Sequence, residues 1–150
     1  MMTINDSTSS TPAIAKSIDW GRYALVGLGT IVAAIVANVL VYSIGRAIVG
    51  YDPEFIVLAD VSPAILFTVV PAIVAVVLYA LLMRFTSDPA RIFTIIAAVV
   101  LVLSLIPDFT YIPTVPGAST GQAVVLAIMH IVAAVVIVGM LTSFSRRSTR

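Results

Sequence analysis

Four apolar runs dominate the sequence, and they constrain its fold more than any other feature. They cover residues 22–49, 62–82, 90–106 and 121–144. A helix crosses ~30 Å of hydrocarbon with ~20 residues, at ~1.5 Å per residue, so each run is close to the length of one span. The runs lack the alternation of polar and apolar residues that membrane barrel strands show over ~10 residues. The sequence therefore predicts an all-α membrane protein, a four-transmembrane-helix antiparallel bundle with up-down topology.

The composition agrees with a membrane protein and excludes several functional classes. Hydrophobic residues make up 61% of the chain and charged residues 10%, whereas soluble domains average about half apolar and about a quarter charged. The net charge of +1, with no basic patch, argues against nucleic acid as a partner. The chain has no cysteine, which excludes disulfides, thiolate metal sites and iron–sulfur clusters.

The segments outside the runs predict the domain organisation and the orientation. Residues 1–19 are rich in Ser and Thr and predict a disordered tail, 20–145 form the transmembrane domain, and 146–150 form a basic tail. Basic residues favour the cytoplasmic side of a membrane. With both termini in the cytoplasm, all but one of them fall on that side, namely Lys16, Arg22, Arg84, Arg91, Arg146, Arg147 and Arg150. The sequence therefore predicts a multi-pass protein of the cell membrane with two cytoplasmic termini.

The first run carries a polar stripe within the stretch "NVLVYSIGR". Asn38, Tyr42 and Arg46 are spaced i, i+4, i+8, so they share one face of a helix, which the small residues Thr30 and Ala34 continue. Small residues let helices approach closely in lipid, and polar side chains hydrogen-bond between helices. This face is therefore predicted to contact the other helices.

Matching stripes occur on the third and fourth runs. They are Ala97, Leu101, Ser104 and Asp108 on the third, and Ala123, Ala127, His130 and Ala134 on the fourth. Counting ~1.5 Å per residue from the middle of each span places the polar residues in the same half of the membrane. The resulting candidate intramembrane polar cluster is Asn38, Tyr42, Arg46, Ser104, Asp108 and His130.

Arg46 is the one basic residue on the predicted outer side, and an acidic partner is expected for it. Asp108, Asp60 and Glu54 lie on that side. Asp108 is the preferred partner, because its helix is predicted to end there, at Pro107, and its stripe already faces inward.

Three segments resemble a bacterial family of small four-helix integral membrane proteins that is catalogued only as a domain of unknown function. They are "NVLVYSIGR", "RIFTIIAAVVLVLSLIPD" and "LAIMHIVAAVV". The positions that carry the resemblance are Asn38, Arg91, Ser104 and His130. The resemblance implies a four-helix fold in a membrane and implies no activity.

His130, the single histidine, leaves two interpretations open. It is either a neutral packing residue bonded to Ser104 or Asn38, or a haem, metal or proton-relay group. The first is favoured, since a second axial histidine and a cluster of metal ligands are missing from the sequence. Ser104 and His130 also resemble a hydrolase dyad, but no Gly-x-Ser-x-Gly motif surrounds Ser104. We therefore predict no catalytic, cofactor-binding or metal-binding residues.

Three functional classes follow from these observations. The first is a non-catalytic accessory or self-associating membrane subunit, with the lipid bilayer and a homo-oligomer or larger membrane complex as partners. The second is a small carrier or channel subunit that uses the polar cluster. The third is a cofactor binder or enzyme centred on His130.

Overall fold

The computed structural model describes residues 19–147, and over that range the chain is helical with short connections. Its elements are α1 (Trp20–Val49), α2 (Ile56–Ala59), α3 (Val61–Phe85), α4 (Pro89–Thr110), a 3-10 turn (Ile112–Thr114) and α5 (Thr120–Arg147). All of the α-helices except the short α2 are long and apolar enough to cross a membrane. The predicted all-α four-helix membrane bundle is thus confirmed, while most of both predicted tails lies outside the described residues.

Polar side chains in the connecting segments start the helices. Asp19, Asp60 and Asp88 each accept a hydrogen bond from a backbone N–H of the first turn of α1, α3 and α4. Ser62 donates to Asp60 through its hydroxyl as well as its backbone N–H, and these bonds hold the pKa of the Asp60 carboxyl below its usual range. At α5, Ser119 and Gln122 bond each other's backbone N–H reciprocally, as in a capping box.

The third spanning helix continues past the proline that was predicted to end it. α4 includes Pro107 and extends to Thr110 instead of ending at Ile106. Proline lacks an N–H and therefore removes one bond of the helical ladder, but the N–H of Tyr111 still bonds the carbonyl of Pro107 at 2.9 Å. Asp108 consequently lies inside the helix, where it is buried.

The spanning helices alternate in direction, which gives the bundle two distinct ends. The proximal end carries the start of α1 and the connection between α3 and α4, and the distal end carries residues 50–60 and 111–119. α1 packs mainly against α5 and α3, and α4 packs mainly against α5. Contacts between α3 and α4 are sparse, so these two helices leave a gap on one side of the bundle.

The buried face of α1 follows the predicted stripe. Its buried residues are Tyr23, Gly27, Thr30, Ala34, Asn38, Tyr42 and Gly45. Leu25, Leu28 and Val32 lie on the opposite, exposed face, as expected for a helix that meets lipid on one side. Arg46, the last member of the predicted stripe, is exposed at the distal end.

Candidate functional site

The gap between α3 and α4 forms a cavity of about 440 Å³, which we call the lateral cleft. α3 and α4 form its walls, α5 forms its floor, and α1 contributes Asn38. Its surface is mostly apolar, with side chains such as Phe67, Val74, Leu78, Ala97 and Ile137. Pro71 also lines it. Because proline lacks a backbone N–H, the carbonyl of Phe67, four residues earlier, has no hydrogen-bond donor from this position of the helix.

Packed side chains lie at both ends of the lateral cleft. At the distal end, Val57 and Leu58 line it. They belong to residues 51–60, which include α2 and which we call the distal cap. At the proximal end, Phe93 lines the cleft and packs edge-on against the fully buried Tyr79, with ring centroids 5.0 Å apart. The cleft therefore opens sideways, between α3 and α4, and not at the ends of the bundle.

Asn38 and Thr68 form the first polar pair in the cleft. The Asn38 amide Nδ2 donates to the Thr68 hydroxyl oxygen at 2.8 Å, and that hydroxyl donates to the carbonyl of Ala64 at 2.7 Å. Both residues are buried. The Asn38 Oδ1 atom is also buried and has no hydrogen-bond partner among the described residues, which leaves one acceptor of this amide unused.

His130 and Asp108 form the second polar pair, at the interface of α5 and α4. His130 Nδ1 lies 2.9 Å from the carbonyl oxygen of Leu126, with hydrogen-bond geometry, and 3.0 Å from Asp108 Oδ2. The Asp108 Oδ2 atom is buried and has no hydrogen-bond partner among the described residues, so its contact with the ring is mainly electrostatic. Because a backbone carbonyl can only accept, its hydrogen bond with Nδ1 requires the proton on this ring nitrogen.

Ser104 lies one helical turn from Asp108 on α4 and also lines the cleft. Its hydroxyl donates to the carbonyl of Val100 at 2.8 Å, within its own helix. The structure therefore brings Asn38, Ser104 and His130 of the predicted cluster to one cavity. Thr68 completes this set, and it was missed as a site residue because a lone threonine in an apolar run carries no signal.

The side chains of Tyr42 and Arg46 form hydrogen bonds that hold the distal cap, and neither residue lines the cleft. The Tyr42 hydroxyl donates to the carbonyl of Leu58 at 3.2 Å, and Arg46 donates to the Tyr42 hydroxyl at 3.2 Å. The Tyr51 hydroxyl donates to the carbonyl of Tyr42 at 2.8 Å. Burial and the neighbouring Tyr42 raise the pKa of Tyr51 to about 12, although Arg46 acts in the opposite direction. Tyr51 therefore remains a neutral donor at physiological pH.

Two predicted pairings are wrong. Arg46 was expected to pair with Asp108, but it contacts Tyr42, and Asp108 contacts His130. His130 was expected to bond Ser104 or Asn38, whereas its side-chain contacts are with Asp108 and the backbone of Leu126. Among the described residues, no group of three or more His, Asp or Glu side chains is placed to share a metal ion.

Comparison with known proteins gives a family and no activity. No curated protein and no solved structure matches the chain. A family model does match, over residues 19–147, and its description is a family of unknown function, DUF6069. The match covers all of the spanning helices, the distal cap and the lateral cleft. The chain therefore belongs to the DUF6069 family.

Proposed function

We propose that this protein is a non-catalytic membrane protein that binds a small amphipathic molecule in its lateral cleft. The observation that carries the proposal is a cavity of about 440 Å³ with apolar walls and a few polar side chains. Small-molecule sites typically measure ~300–1,000 Å³, have this kind of lining, and occur between the helices of bundles. The ligand is dissolved in the membrane, because the cleft opens toward lipid between α3 and α4.

The contacts of the polar residues support binding over catalysis. An activated serine needs its proton directed at a base, but the Ser104 hydroxyl donates to the carbonyl of Val100. The described polar contacts of His130 are with the carbonyl of Leu126 and with Asp108, and none is with Ser104. These groups are arranged to hold a polar head in an apolar cavity.

Filling the cleft should displace the ligand. Ala97 lines the cleft on α4, so Ala97→Phe places a ring inside it. We expect the purified wild-type protein to carry a co-purifying amphipathic molecule in about one-to-one ratio, and Ala97→Phe to lose it. Organic extraction of protein purified in a mild detergent, followed by mass spectrometry, measures this.

The matched control for this experiment is Val99→Phe. Val99 is two residues away on the same helix but exposed on its lipid side, so the same ring there should leave the bound molecule in place. Equal amounts of bound molecule in Ala97→Phe and wild type would contradict binding in the cleft.

A second candidate function, an accessory or self-associating membrane subunit, is favoured by the exposure of α4. In the apolar 18-residue stretch of this span, only 11% of the residues are buried within the bundle, whereas 33% are buried in the corresponding stretch of α5. A helix from a partner or a second copy could cover this side of the bundle. A pull-down in mild detergent, followed by mass measurement of the intact complex, would show such a partner in stoichiometric amount and would favour this function.

The proposed orientation in the cell membrane has both termini in the cytoplasm. The chain has no native cysteine, so introduced ones report without background. We expect cysteines at Thr8 and Ser148, which lie outside the described residues, to resist an impermeant thiol reagent in intact cells. A cysteine at Thr114, exposed in the distal 3-10 turn, should react. Labelling of the termini but not of position 114 would reverse the orientation.

A further inference from the structure

We infer that the lateral cleft selects a ligand whose head group is an uncharged hydrogen-bond donor, such as the hydroxyl of a long-chain alcohol. The inference rests on the proposed binding function and specifies the chemistry of its ligand. It follows from which hydrogen-bonding atoms of the cleft are already used and which remain.

The two hydroxyl groups of the cleft each already donate a hydrogen bond to a backbone carbonyl. Thr68 donates to the carbonyl of Ala64 and Ser104 to the carbonyl of Val100. A hydroxyl has one donor and two acceptor lone pairs. Ser104 therefore has acceptor capacity left for a ligand, and the Thr68 oxygen has used part of its own on the Asn38 amide.

Asn38 contributes an unpaired acceptor next to the cleft. Its Oδ1 atom is buried and has no partner among the described residues, while its Nδ2 atom is used on Thr68. Leaving a buried acceptor unpaired is unfavourable. Asn38 lines the cleft, but Oδ1 itself has almost no accessible surface, so a ligand donor reaches it only after the amide turns toward the cavity.

His130 adds another acceptor. Its Nδ1 atom carries the proton, because it lies 2.9 Å from the carbonyl oxygen of Leu126, which can only accept. In a neutral imidazole the other nitrogen, Nε2, is then an acceptor. His130 lines the cleft and its side chain is 42% exposed, so Nε2 is the ring atom available to a ligand.

The depth of these groups favours a small, uncharged head. Thr68 lies seven residues into α3, which places it ~10 Å below the start of that helix. The distal cap covers this end of the cleft through Val57 and Leu58, so a head group bound there is removed from contact with water. Moving a phosphate or carboxylate to such a depth is costly, and the acceptors around it would repel its negative charge.

Three probes that share one alkyl chain test the inference, namely dodecan-1-ol, its methyl ether and dodecanoate. Binding to the full chain in mild detergent is measured by titration calorimetry, with Ala97→Phe as the background for uptake into micelles. Hydrogen bonds between groups in a membrane are modest in strength, so we expect the alcohol to bind about three- to tenfold more tightly than the ether, which corresponds to about 0.6–1.4 kcal/mol. Dodecanoate should bind most weakly.

Two variants locate the preference within the cleft. Ser104→Ala and His130→Leu each remove one acceptor, and each should reduce the ratio of alcohol to ether affinity toward one. Ser104→Ala keeps the test interpretable if His130→Leu fails to fold, because the Ser104 hydroxyl bonds only within α4.

The possible outcomes separate this inference from the proposed function. Equal affinities for alcohol and ether would overturn the donor selectivity while leaving binding in the cleft intact. Tighter binding of dodecanoate would also overturn it and would identify Nε2 as a donor, from an ionised pair of His130 and Asp108. Binding of none of the three probes above the Ala97→Phe background would overturn both the inference and the proposed function.

Discussion

His130→Leu is expected to destabilise the protein more than the double variant in which Asp108 is also replaced by Leu. Asp108 is 3% exposed, and His130 is the polar side chain that lies within 3.0 Å of it. Removing His130 leaves a buried carboxyl group without this partner, which costs about 1–3 kcal/mol. Replacing both residues by apolar ones removes the unpaired group as well, and such exchanges are often close to neutral. The free energy of unfolding, from SDS titration of the detergent-solubilised protein, measures the difference.

Asp108→Leu alone is the one further variant that completes this double-mutant cycle. A second cycle, with Ser104→Ala in place of Asp108→Leu, serves as the control, because Ser104 is a nearby polar residue whose hydrogen bond lies within α4. We expect a coupling energy of about 1 kcal/mol or more between His130 and Asp108 and almost none between His130 and Ser104. Additive losses for His130 and Asp108 would show that the observed contact contributes no stability.

The spans and the inward faces of the helices could be predicted from the sequence because both depend on local patterns. Run length determines whether a helix can cross the membrane, and the spacing of Thr30, Ala34, Asn38 and Tyr42 determines which face of α1 is buried. The same reasoning placed Ser104 and Asp108 on the inner face of α4. These predictions need no knowledge of which helix lies beside which.

The partners of the polar residues could not be predicted, since they depend on the order of helices around the bundle. Pairing Arg46 with Asp108 assumed that the distal ends of α1 and α4 meet. In the structure α4 packs mainly against α5, and α1 packs mainly against α5 and α3, so Asp108 reaches His130 and Asn38 reaches Thr68. Periodicity is the same for every such arrangement, and it therefore does not distinguish between them.

The distal cap was also not predicted, although its sequence contains a weak signal. Residues 51–60 read as a loop with acidic residues, but Phe55 and Leu58, spaced i, i+3, are both fully buried. An apolar pair with helical spacing between charged residues is typical of a short helix that packs on a larger surface. The cap explains Tyr42 and Arg46 in the first span, because Tyr42 bonds its backbone and Arg46 bonds Tyr42.

The tight contact between α1 and α5 at the distal end is expected to make Gly45 the glycine of these helices least tolerant of a side chain. A Cβ at this position would lie 2.8 Å and 2.9 Å from the two methyl groups of Val125, and would also clash with the hydroxyl of Tyr51. That hydroxyl bonds the carbonyl of Tyr42, so moving it would loosen the distal cap. Overpacking costs ~1–3 kcal/mol and a lost hydrogen bond costs about 1 kcal/mol more.

Gly45→Ala should therefore lower the free energy of unfolding by about 2 kcal/mol or more, measured by the same SDS titration. Gly139→Ala is the matched control on α5, because a Cβ there meets no atom within 4 Å. Alanine favours a helix over glycine by up to ~1 kcal/mol, so the control should be neutral or slightly stabilised. The two substitutions add the same methyl group to a helix and differ only in what surrounds it. Similar stabilities for both variants would mean that α1 and α5 can separate at the distal end without cost, and that the distal cap does not depend on their close approach.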